Sequence, residues 1–196
     1  MSTREILQVN GTQLLFADAV DFPNAGAGPP TTAANDIRIT SPDTPTKVQL
    51  DLTGIAAAAA RQSTKTADLG SAWAAEWLLG ACIEWEAAPT AGGTVDFYWA
   101  GSPSSTAATG NPGNASGADA AFTVAGLTQL LLIGSMTVLN QVVNIDTDIA
   151  RFWMPYRYGS LVVVNSTDAA FRSTATAMDE THITLTPLIP DIQAAA

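Results

Sequence analysis

The chain has 196 residues, of which 47% are hydrophobic and only 13% are charged. Eighteen acidic residues against eight basic ones give a formal net charge of −10. This balance argues against nucleic acid as a partner, because binding to it needs clusters of Lys and Arg. No apolar run approaches the ~20 residues that span a bilayer, so we expect no membrane partner either. The length suits one domain with a large core, and we predict a single domain over residues 1–196.

Alternation of apolar and polar residues predicts short strands from the N-terminal part of the chain onward. We predict the first three strands at residues 5–9, 12–17 and 36–40. The clearest alternation follows at residues 47–53, where Val48, Leu50 and Leu52 share one face. The alanine-rich segment 55–61 stays open between a helical turn, an irregular crossing and a strand, because alanine favours a helix whereas its neighbours favour extension.

Two aromatic stripes mark the middle of the chain. Residues 76–86 place five apolar side chains on one face, namely Trp77, Leu79, Ala81, Ile83 and Trp85. Residues 94–99 align Val95, Phe97 and Trp99 in the same way. The segment 87–93 between them contains Pro and two Gly residues and predicts a hairpin loop. We therefore expect the two strands to lie side by side at the centre of one sheet.

Further strands are predicted in the second half of the chain, at residues 129–133, 136–139, 160–165 and 182–188. Gly134 and Ser135 are expected to form a turn between the first two of these. The chain shows no long amphipathic helix. Many short strands separated by turn residues favour an all-β fold, a single β-sandwich or jelly roll with long loops.

Three segments are predicted to have irregular structure. Residues 22–35 contain several Pro and Gly residues and are predicted to form an extended arm or a connector. Residues 102–121 are dominated by small residues and predict a long loop, and loops of this length usually contact a partner or are disordered. The tail 190–196 has no periodicity, and we expect it to be loose or to dock on a neighbour.

The residue types needed for catalysis or metal binding are scarce. His182 is the one histidine and Cys82 the one cysteine, which leaves too few side chains for a catalytic triad or a zinc site. We expect a structural or surface histidine, a buried inert thiol, no metal and no cofactor. Asn144, Asp146 and Asp148 alternate and could offer oxygens to calcium, although a solvated strand edge is the favoured interpretation.

Glu84 and Glu86 are the best candidates for a carboxylate pair. In a strand they would share a face about 7 Å apart, a spacing that glycoside hydrolysis uses. Trp85 and Trp99, which could stack on a sugar, point away from these acids by the same alternation. Solvent-facing glutamates opposite a core stripe are therefore favoured, and we predict that the chain is not an enzyme.

Three segments and one loop carry a family likeness, namely residues 153–171 (WMPYRYGSLVVVNSTDAAF), 182–190 (HITLTPLIP) and 97–104 (FYWAGSPS) with the loop 110–119. In these segments the chain resembles small virion proteins of tailed bacteriophages. It covers about half the chain, mainly from Thr94 onward, and its motifs are structural rather than catalytic.

The resemblance implies a β-sandwich on the capsid surface of a virion, often as a trimer or another symmetric cluster. Such a cement or decoration protein stabilises the head by bridging capsid subunits, so its partners would be the major capsid protein and other copies of itself. The first residues lack the pattern of a secretion signal, and we expect synthesis in the host cytoplasm.

Large aromatic residues supply much of the binding energy at protein interfaces, and flanking arginines could pair with carboxylates of a neighbour. The interface candidates are Trp73, Arg151, Trp153, Tyr156, Arg157 and Tyr158. The alternative role for Trp153 and Tyr158 is to close the end of the sandwich.

Three other functions stay open. The chain could be a tail, collar or connector protein. It could be a carbohydrate-binding module of the virion that uses Trp85, Trp99 and Trp153. Glycan hydrolysis by Glu84 and Glu86 is the enzyme alternative.

Overall fold

A computed structural model describes residues 6–18, 45–69, 73–173 and 181–192 of the chain. These residues form eleven strands, which are β1 (Ile6–Asn10), β2 (Leu14–Ala17), β3 (Thr46–Gln49), β4 (Ala60–Gln62), β5 (Glu76–Glu84), β6 (Thr94–Ser102), β7 (Ala120–Phe122), β8 (Leu131–Thr137), β9 (Val143–Trp153), β10 (Tyr158–Ser166) and β11 (His182–Ile192). Two short 3-10 helices, Pro112–Asn114 and Val124–Gln129, lie between β6 and β8. The predicted arm 22–35 and strand 36–40 lie outside the described residues.

The strands form two sheets. The first sheet has six strands in the order β3-β2-β11-β5-β9, with β1 pairing to the same strand β11. The second sheet has five strands in the order β7-β4-β10-β6-β8. The prediction of an all-β sandwich is confirmed.

Eight of these strands pair in a nested way. The first and last of them, β2 and β11, are neighbours, and so are β4 and β10, β5 and β9, and β6 and β8. All four pairs are antiparallel. A long hairpin wrapped in this manner into two sheets is a jelly roll, so the finer prediction also holds.

The core fills the space between the sheets. The five side chains predicted to share one face of residues 76–86 are all buried in it, as are Val95, Phe97 and Trp99 of β6. Trp85 packs edge-to-face on Phe171, with ring centroids 4.9 Å apart. Burial of so many large apolar side chains is the main favourable term in the stability of the fold.

The long loop between β6 and β8 covers the outer face of the second sheet. Ala115 and Phe122, which come from this segment, are buried against Val162 and Val164 of β10. The loop therefore closes a second, smaller apolar cluster on the side of the sheet away from the main core. Its small residues fit closely there: a Cβ on Gly117 would lie 2.7 Å from the carbonyl carbon of Ala107.

Two charged residues hold this loop in place. The Lys65 ammonium donates hydrogen bonds to the backbone carbonyls of Ser104 (3.1 Å), Thr106 (2.7 Å) and Thr109 (3.0 Å). At the other end of the loop, Asp119 accepts hydrogen bonds from Arg61 Nε (2.7 Å), Gln49 Nε2 (2.9 Å) and the backbone N–H of Asp51 (2.9 Å). Burial lowers the pKa of Arg61, but the hydrogen bond and charge of Asp119, followed by the charges of Asp51 and Asp18, outweigh it and leave this pKa raised. Lys65 and Asp119 therefore both anchor the loop.

The expected hairpin between residues 76–86 and 94–99 is wrong. β5 lies in the first sheet and β6 in the second, so the segment 87–93 crosses from one sheet to the other. The crossing is tied to the end of β8, because Gly92 N–H donates to Val138 O and Val138 N–H donates to Gly93 O. Alternation shows which face of a strand is buried, but it does not show which strand is its neighbour.

The expected turn at Gly134 and Ser135 is also wrong, because both residues lie inside β8. The register between β6 and β8 shifts there: Phe97 pairs with Gly134, whereas Tyr98 pairs with Leu132. Ile133 is therefore the extra residue of a β-bulge. A Cβ on Gly134 would lie 2.7 Å from Leu79 Cδ2, so the glycine marks a close approach instead of a turn.

The structure also defines two segments whose conformation the sequence left open. The alanine-rich segment, for which a helical turn, an irregular crossing and a strand were considered, makes a turn, in which Ala58 has a φ of 59°, and then forms β4. The tail was expected to be loose or to dock on a neighbour from residue 190, but β11 continues to Ile192 and pairs with β1 of the same chain. Residues 193–196 lie outside the described part of the chain.

Candidate functional site

Four of the six interface candidates lie on one short turn. Trp153 ends β9, Tyr156 and Arg157 lie in the turn that follows, and Tyr158 begins β10. Two backbone hydrogen bonds fix this turn to the residues before β5: Met154 N–H donates to Ala75 O (3.0 Å) and Leu69 N–H donates to Arg157 O (3.2 Å). We call this end of the sandwich the aromatic end.

Trp73 and Trp153 line the same groove at the aromatic end. The groove has a volume of about 470 Å³, and its walls include Ala74, Glu76, Leu188 and Ile189. Trp153 is 70% exposed, whereas Trp73 is half-buried. Trp73 Nε1 donates to Met154 O at 3.0 Å, so Trp73 braces the turn while one side of its ring stays in the groove.

Arg157 and Tyr158 form a cluster with Asp68. The Arg157 guanidinium donates through Nε to Asp68 Oδ1 at 2.6 Å, and the Tyr158 hydroxyl donates to Asp68 Oδ2 at 3.0 Å. The guanidinium carbon also lies 5.3 Å from the centre of the Tyr158 ring. The hydrogen bond to Asp68, together with its charge, raises the pKa of Arg157 above its ordinary value. The carboxylate partner of Arg157 is thus found within the chain.

Tyr156 lines a second recess at the same end, which we call the loop recess. This recess has a volume of about 400 Å³ and is lined by Trp99, Gly101, Asn111, Gln129, Leu131 and Tyr156, among others. Gly101 and Gly159 are paired across β6 and β10, and the Trp99 indole fits against both. A Cβ on Gly159 would lie 2.5 Å from Trp99 Cε2, so glycine is required there by the close packing.

Exposed apolar side chains are concentrated along one edge of the sandwich. Of nine large hydrophobic residues that are clearly exposed in the described part of the chain, seven fall within residues 131–156: Leu131, Leu132, Leu139, Val142, Ile145, Trp153 and Tyr156. Asp146, Asp148 and Arg151 are the charged residues of this segment. We call residues 131–156 the β8–β9 edge, because β8 and β9 are the outermost strands on that side of their sheets.

The β8–β9 edge includes Arg151 and is interrupted by a bulge. Arg151 is exposed and pairs with Leu78 of β5, two residues before Trp153. Between Ala150 and Asp146 the register against β5 shifts, and Asp148 N–H donates to Asp146 Oδ1 (3.1 Å). A bulge with acidic side chains discourages unlimited strand addition at a sheet edge. We therefore expect a partner to contact this edge through side chains and not by adding a strand through backbone hydrogen bonds.

The residues considered for catalysis are used in packing. His182 is 1% exposed and pairs with Cys82 across β11 and β5, so the histidine is structural and the thiol is buried. Glu84 is buried and forms an ion pair with Arg172 at 2.5 Å. Glu86 is exposed and accepts hydrogen bonds from Ser173 N–H (3.0 Å) and Oγ (3.1 Å). The prediction that the two glutamates share a solvent-facing surface is therefore wrong, because Glu84 is buried.

The proposed stacking platform of three tryptophans does not exist, since Trp85 and Trp99 are 0% and 1% exposed. Trp153 alone of the three is open to solvent.

The calcium alternative also loses its first ligand, because Asn144 Oδ1 accepts from Leu139 N–H at 2.7 Å and holds the β8–β9 loop. In the described ranges, no group of three or more His, Cys, Asp or Glu side chains is placed to hold a metal ion.

Neither the loop recess nor the β8–β9 edge was predicted from the sequence. The recess depends on Gly101 near the end of β6, on Asn111 in the long loop and on Tyr156 in the β9–β10 turn, and no local pattern indicates that these segments meet. The edge depends on strand β9, whose bulge and charges broke the alternation.

Within the described residues, no helix has the length and apolar character needed to cross a bilayer.

Comparisons with known proteins return no match among protein families, curated proteins or solved structures. The functional interpretation therefore depends on the surface described above and on the motifs quoted for the phage likeness.

Proposed function

We propose that the chain is a structural protein of a tailed-bacteriophage virion, a cement or decoration subunit of the capsid surface. It binds the major capsid protein and copies of itself, as a homotrimer or another symmetric oligomer, and it acts without a cofactor. The observation that carries the proposal is the β8–β9 edge, which holds seven of the nine exposed large hydrophobic residues in the described part of the chain.

An apolar edge of this kind favours association with another protein. Soluble monomers expose single apolar residues over their whole surface, whereas a contiguous group marks an interaction site. The edge carries few charges to be desolvated, and Trp153 and Tyr156 are of the residue types that contribute most at interfaces. Burial of this edge would supply affinity without any chemical step.

Repetition over a capsid lattice makes a modest interface sufficient. A standard protein interface buries roughly 800 Å² on each partner. When many copies each bridge neighbouring capsid subunits, their contributions add over the shell. The net charge of −10 suits a subunit that faces the medium and not the packaged genome.

The fold is compatible with this role but does not decide it. Jelly rolls occur in viral capsid proteins and in lectins, and a fold by itself does not specify a function. The exposed edge and the phage-like motifs in residues 153–171 and 182–190 support a position on the capsid surface.

The proposal is tested by adding purified protein to shells of the phage that were assembled without it. We expect saturable co-sedimentation at many sites per shell and a higher melting temperature of the coated shells. The double variant Leu132→Ser and Leu139→Ser removes two exposed apolar side chains of the edge, and we expect at least tenfold weaker binding.

The matched control is Val124→Ser, because Val124 is similarly exposed (49%) but lies on the 3-10 helix Val124–Gln129, outside the edge. Unchanged binding of the edge variant would refute the role of the edge. Binding at a single vertex would assign the chain to the portal or tail, where rings of higher symmetry form, and would refute the cement role.

A further inference from the structure

The groove between Trp73 and Trp153, which we call the tryptophan groove, combines two indole rings with a carboxylate. Glu76 is the one charged residue of its described lining, and the other side chains are those of Trp, Ala, Leu, Ile and Pro. Trp153 is largely exposed, and Trp73 and Glu76 are half-buried. A group that enters the groove from solvent can therefore contact both rings and the carboxylate.

Strand pairing places the Glu76 carboxylate beside the Trp153 ring. Glu76 of β5 lies directly opposite Trp153 of β9 on one side and Leu188 of β11 on the other. Side chains of directly opposite residues share a face of the sheet, with Cβ atoms roughly 4.5–5.5 Å apart. Glu76 also has a contact within the chain, but a carboxylate has two oxygens that accept several hydrogen bonds. It can therefore accept from a ligand as well.

Trp73 forms the facing wall in a fixed orientation. Its Nε1 donates to Met154 O at 3.0 Å, so the N–H is used within the chain and the ring is held in place. Trp73 therefore presents ring surface to the groove and not a hydrogen-bond donor. The faces of aromatic rings carry negative partial charge and attract cations, as does a carboxylate. The groove is thus suited to a positively charged group.

A complete set of this kind is present at the same end of the sandwich. The Arg157 guanidinium donates to the Asp68 carboxylate and lies over the Tyr158 ring. The tryptophan groove contains the carboxylate and the rings, whereas its described lining contains no basic residue. A guanidinium suits it better than an ammonium, because its flat face stacks on an indole while its N–H groups bind a carboxylate.

The charge of the chain favours a different protein as the source of this guanidinium. Of the four arginines in the described ranges, Arg61, Arg157 and Arg172 are in ion pairs within the chain. A second copy would also bring a further net charge of −10 to the contact. Trp153 belongs to both the groove and the β8–β9 edge, so a protein that covers this edge also reaches the groove.

We propose that the tryptophan groove receives an arginine side chain of the major capsid protein, whose guanidinium stacks on Trp153 and donates to Glu76. The groove volume of about 470 Å³ leaves room for this side chain and part of the adjoining backbone. The proposal deepens the proposed function and rests on it for the identity of the partner, whereas the guanidinium site itself can be tested on the isolated chain.

The site is tested by titrating the full chain with N-acetyl-arginine methylamide and with its citrulline counterpart, an uncharged compound of nearly the same shape. The readout is the indole N–H resonances of the tryptophans in NMR spectra. We expect the arginine compound to shift the signals of Trp73 and Trp153 saturably at millimolar concentrations. The citrulline compound is expected to bind about threefold more weakly or worse. The signal of Trp85, which is buried elsewhere, should stay in place.

Glu76→Gln removes the charge and keeps the size of the side chain. It is expected to abolish the preference for arginine over citrulline and to weaken binding to shells about threefold or more. Glu86→Gln is the matched control, because it makes the same change at an exposed position outside the groove. Trp153→Ala, at a largely exposed position, removes the stacking surface and is expected to weaken both kinds of binding. Near-ultraviolet circular dichroism checks that each variant is folded.

The outcomes separate the site from its assignment. Equal binding of the two compounds, or an unchanged preference in Glu76→Gln, would overturn the guanidinium site. Shell binding that is the same in Glu76→Gln and the parent would overturn the capsid protein as its source, as would a loss of self-association in sedimentation, which indicates a second copy. If the parent chain does not bind shells at all, the proposed function fails, and the titration still decides whether the groove binds arginine.

Discussion

Glu86 and Asp168 fasten loops at the end of the sandwich opposite the aromatic end. Glu86 accepts two hydrogen bonds from Ser173, and Asp168 accepts two from Thr90. In both cases these hydrogen bonds are the largest cause of a lowered carboxyl pKa. Each carboxylate therefore stabilises the folded chain only while it is ionised.

We predict that acid weakens this end of the molecule through Glu86. The folded-state pKa lies below the ordinary value of 4.5, so the contribution is complete above pH 4.5 and is lost as the pH falls through the folded-state value. The variant Glu86→Gln is expected to melt at a lower temperature than the parent at pH 7, and this difference is expected to disappear as the pH falls below the folded-state pKa of Glu86. Thermal scans over this range check it; a difference that persists unchanged in acid would contradict the assignment.

At the scale of single residues, alternation was informative about burial. The stripe from Trp77 to Trp85 was predicted as a core face and is one. Trp99 was placed in a second core stripe and is buried, whereas Trp153 was named as an interface candidate and is 70% exposed. The difference arises because β6 is an inner strand, whereas β9 is the outermost strand of its sheet.

At the scale of elements, the long loop between β6 and β8 departs most from expectation. Its small, polar composition suggested a partner-contact loop, yet it covers the outer face of the second sheet and is held by Lys65 and Asp119. Both anchors are isolated charges whose partners are remote in sequence, so composition alone could not reveal them. β9 escaped prediction for a related reason, since its bulge interrupts the alternation on which strand prediction depends.

We predict that Asp119→Ala frees this loop and destabilises the fold. Asp119 accepts three hydrogen bonds, including one from the Arg61 guanidinium. Its loss leaves the backbone N–H of Asp51 without this acceptor and removes the second acceptor of Arg61 and of Gln49, which keep Asp51 and Asp18. The expected decrease in the free energy of unfolding is about 1.5–3 kcal/mol, measured by urea denaturation, with faster proteolysis inside residues 102–119. Asp148→Ala, at an exposed position on β9, is the control and should change stability by less than about 0.5 kcal/mol. Equal stability of the two variants would contradict the anchoring role.

At the scale of the whole molecule, the nested pairing of eight strands explains why the interaction surfaces lie where they do. β8 and β9 are consecutive in the chain, and the wrapping places them on the same side of the two sheets. One short segment therefore forms an entire lateral edge. The same wrapping brings the β9–β10 turn to the end where the long loop begins, which creates the loop recess. Alternation predicted the sandwich, but the order of strands depends on long-range pairing that no local pattern encodes.

The most direct test of the account is an electron-microscopy map of the virion at a resolution that shows side chains. We predict copies of the jelly roll repeated over the capsid lattice, with Leu132, Leu139 and Trp153 of the β8–β9 edge buried against the major capsid protein or a neighbouring copy. A map in which this edge faces the medium, or in which the chain is absent from the capsid surface, would contradict the central claim.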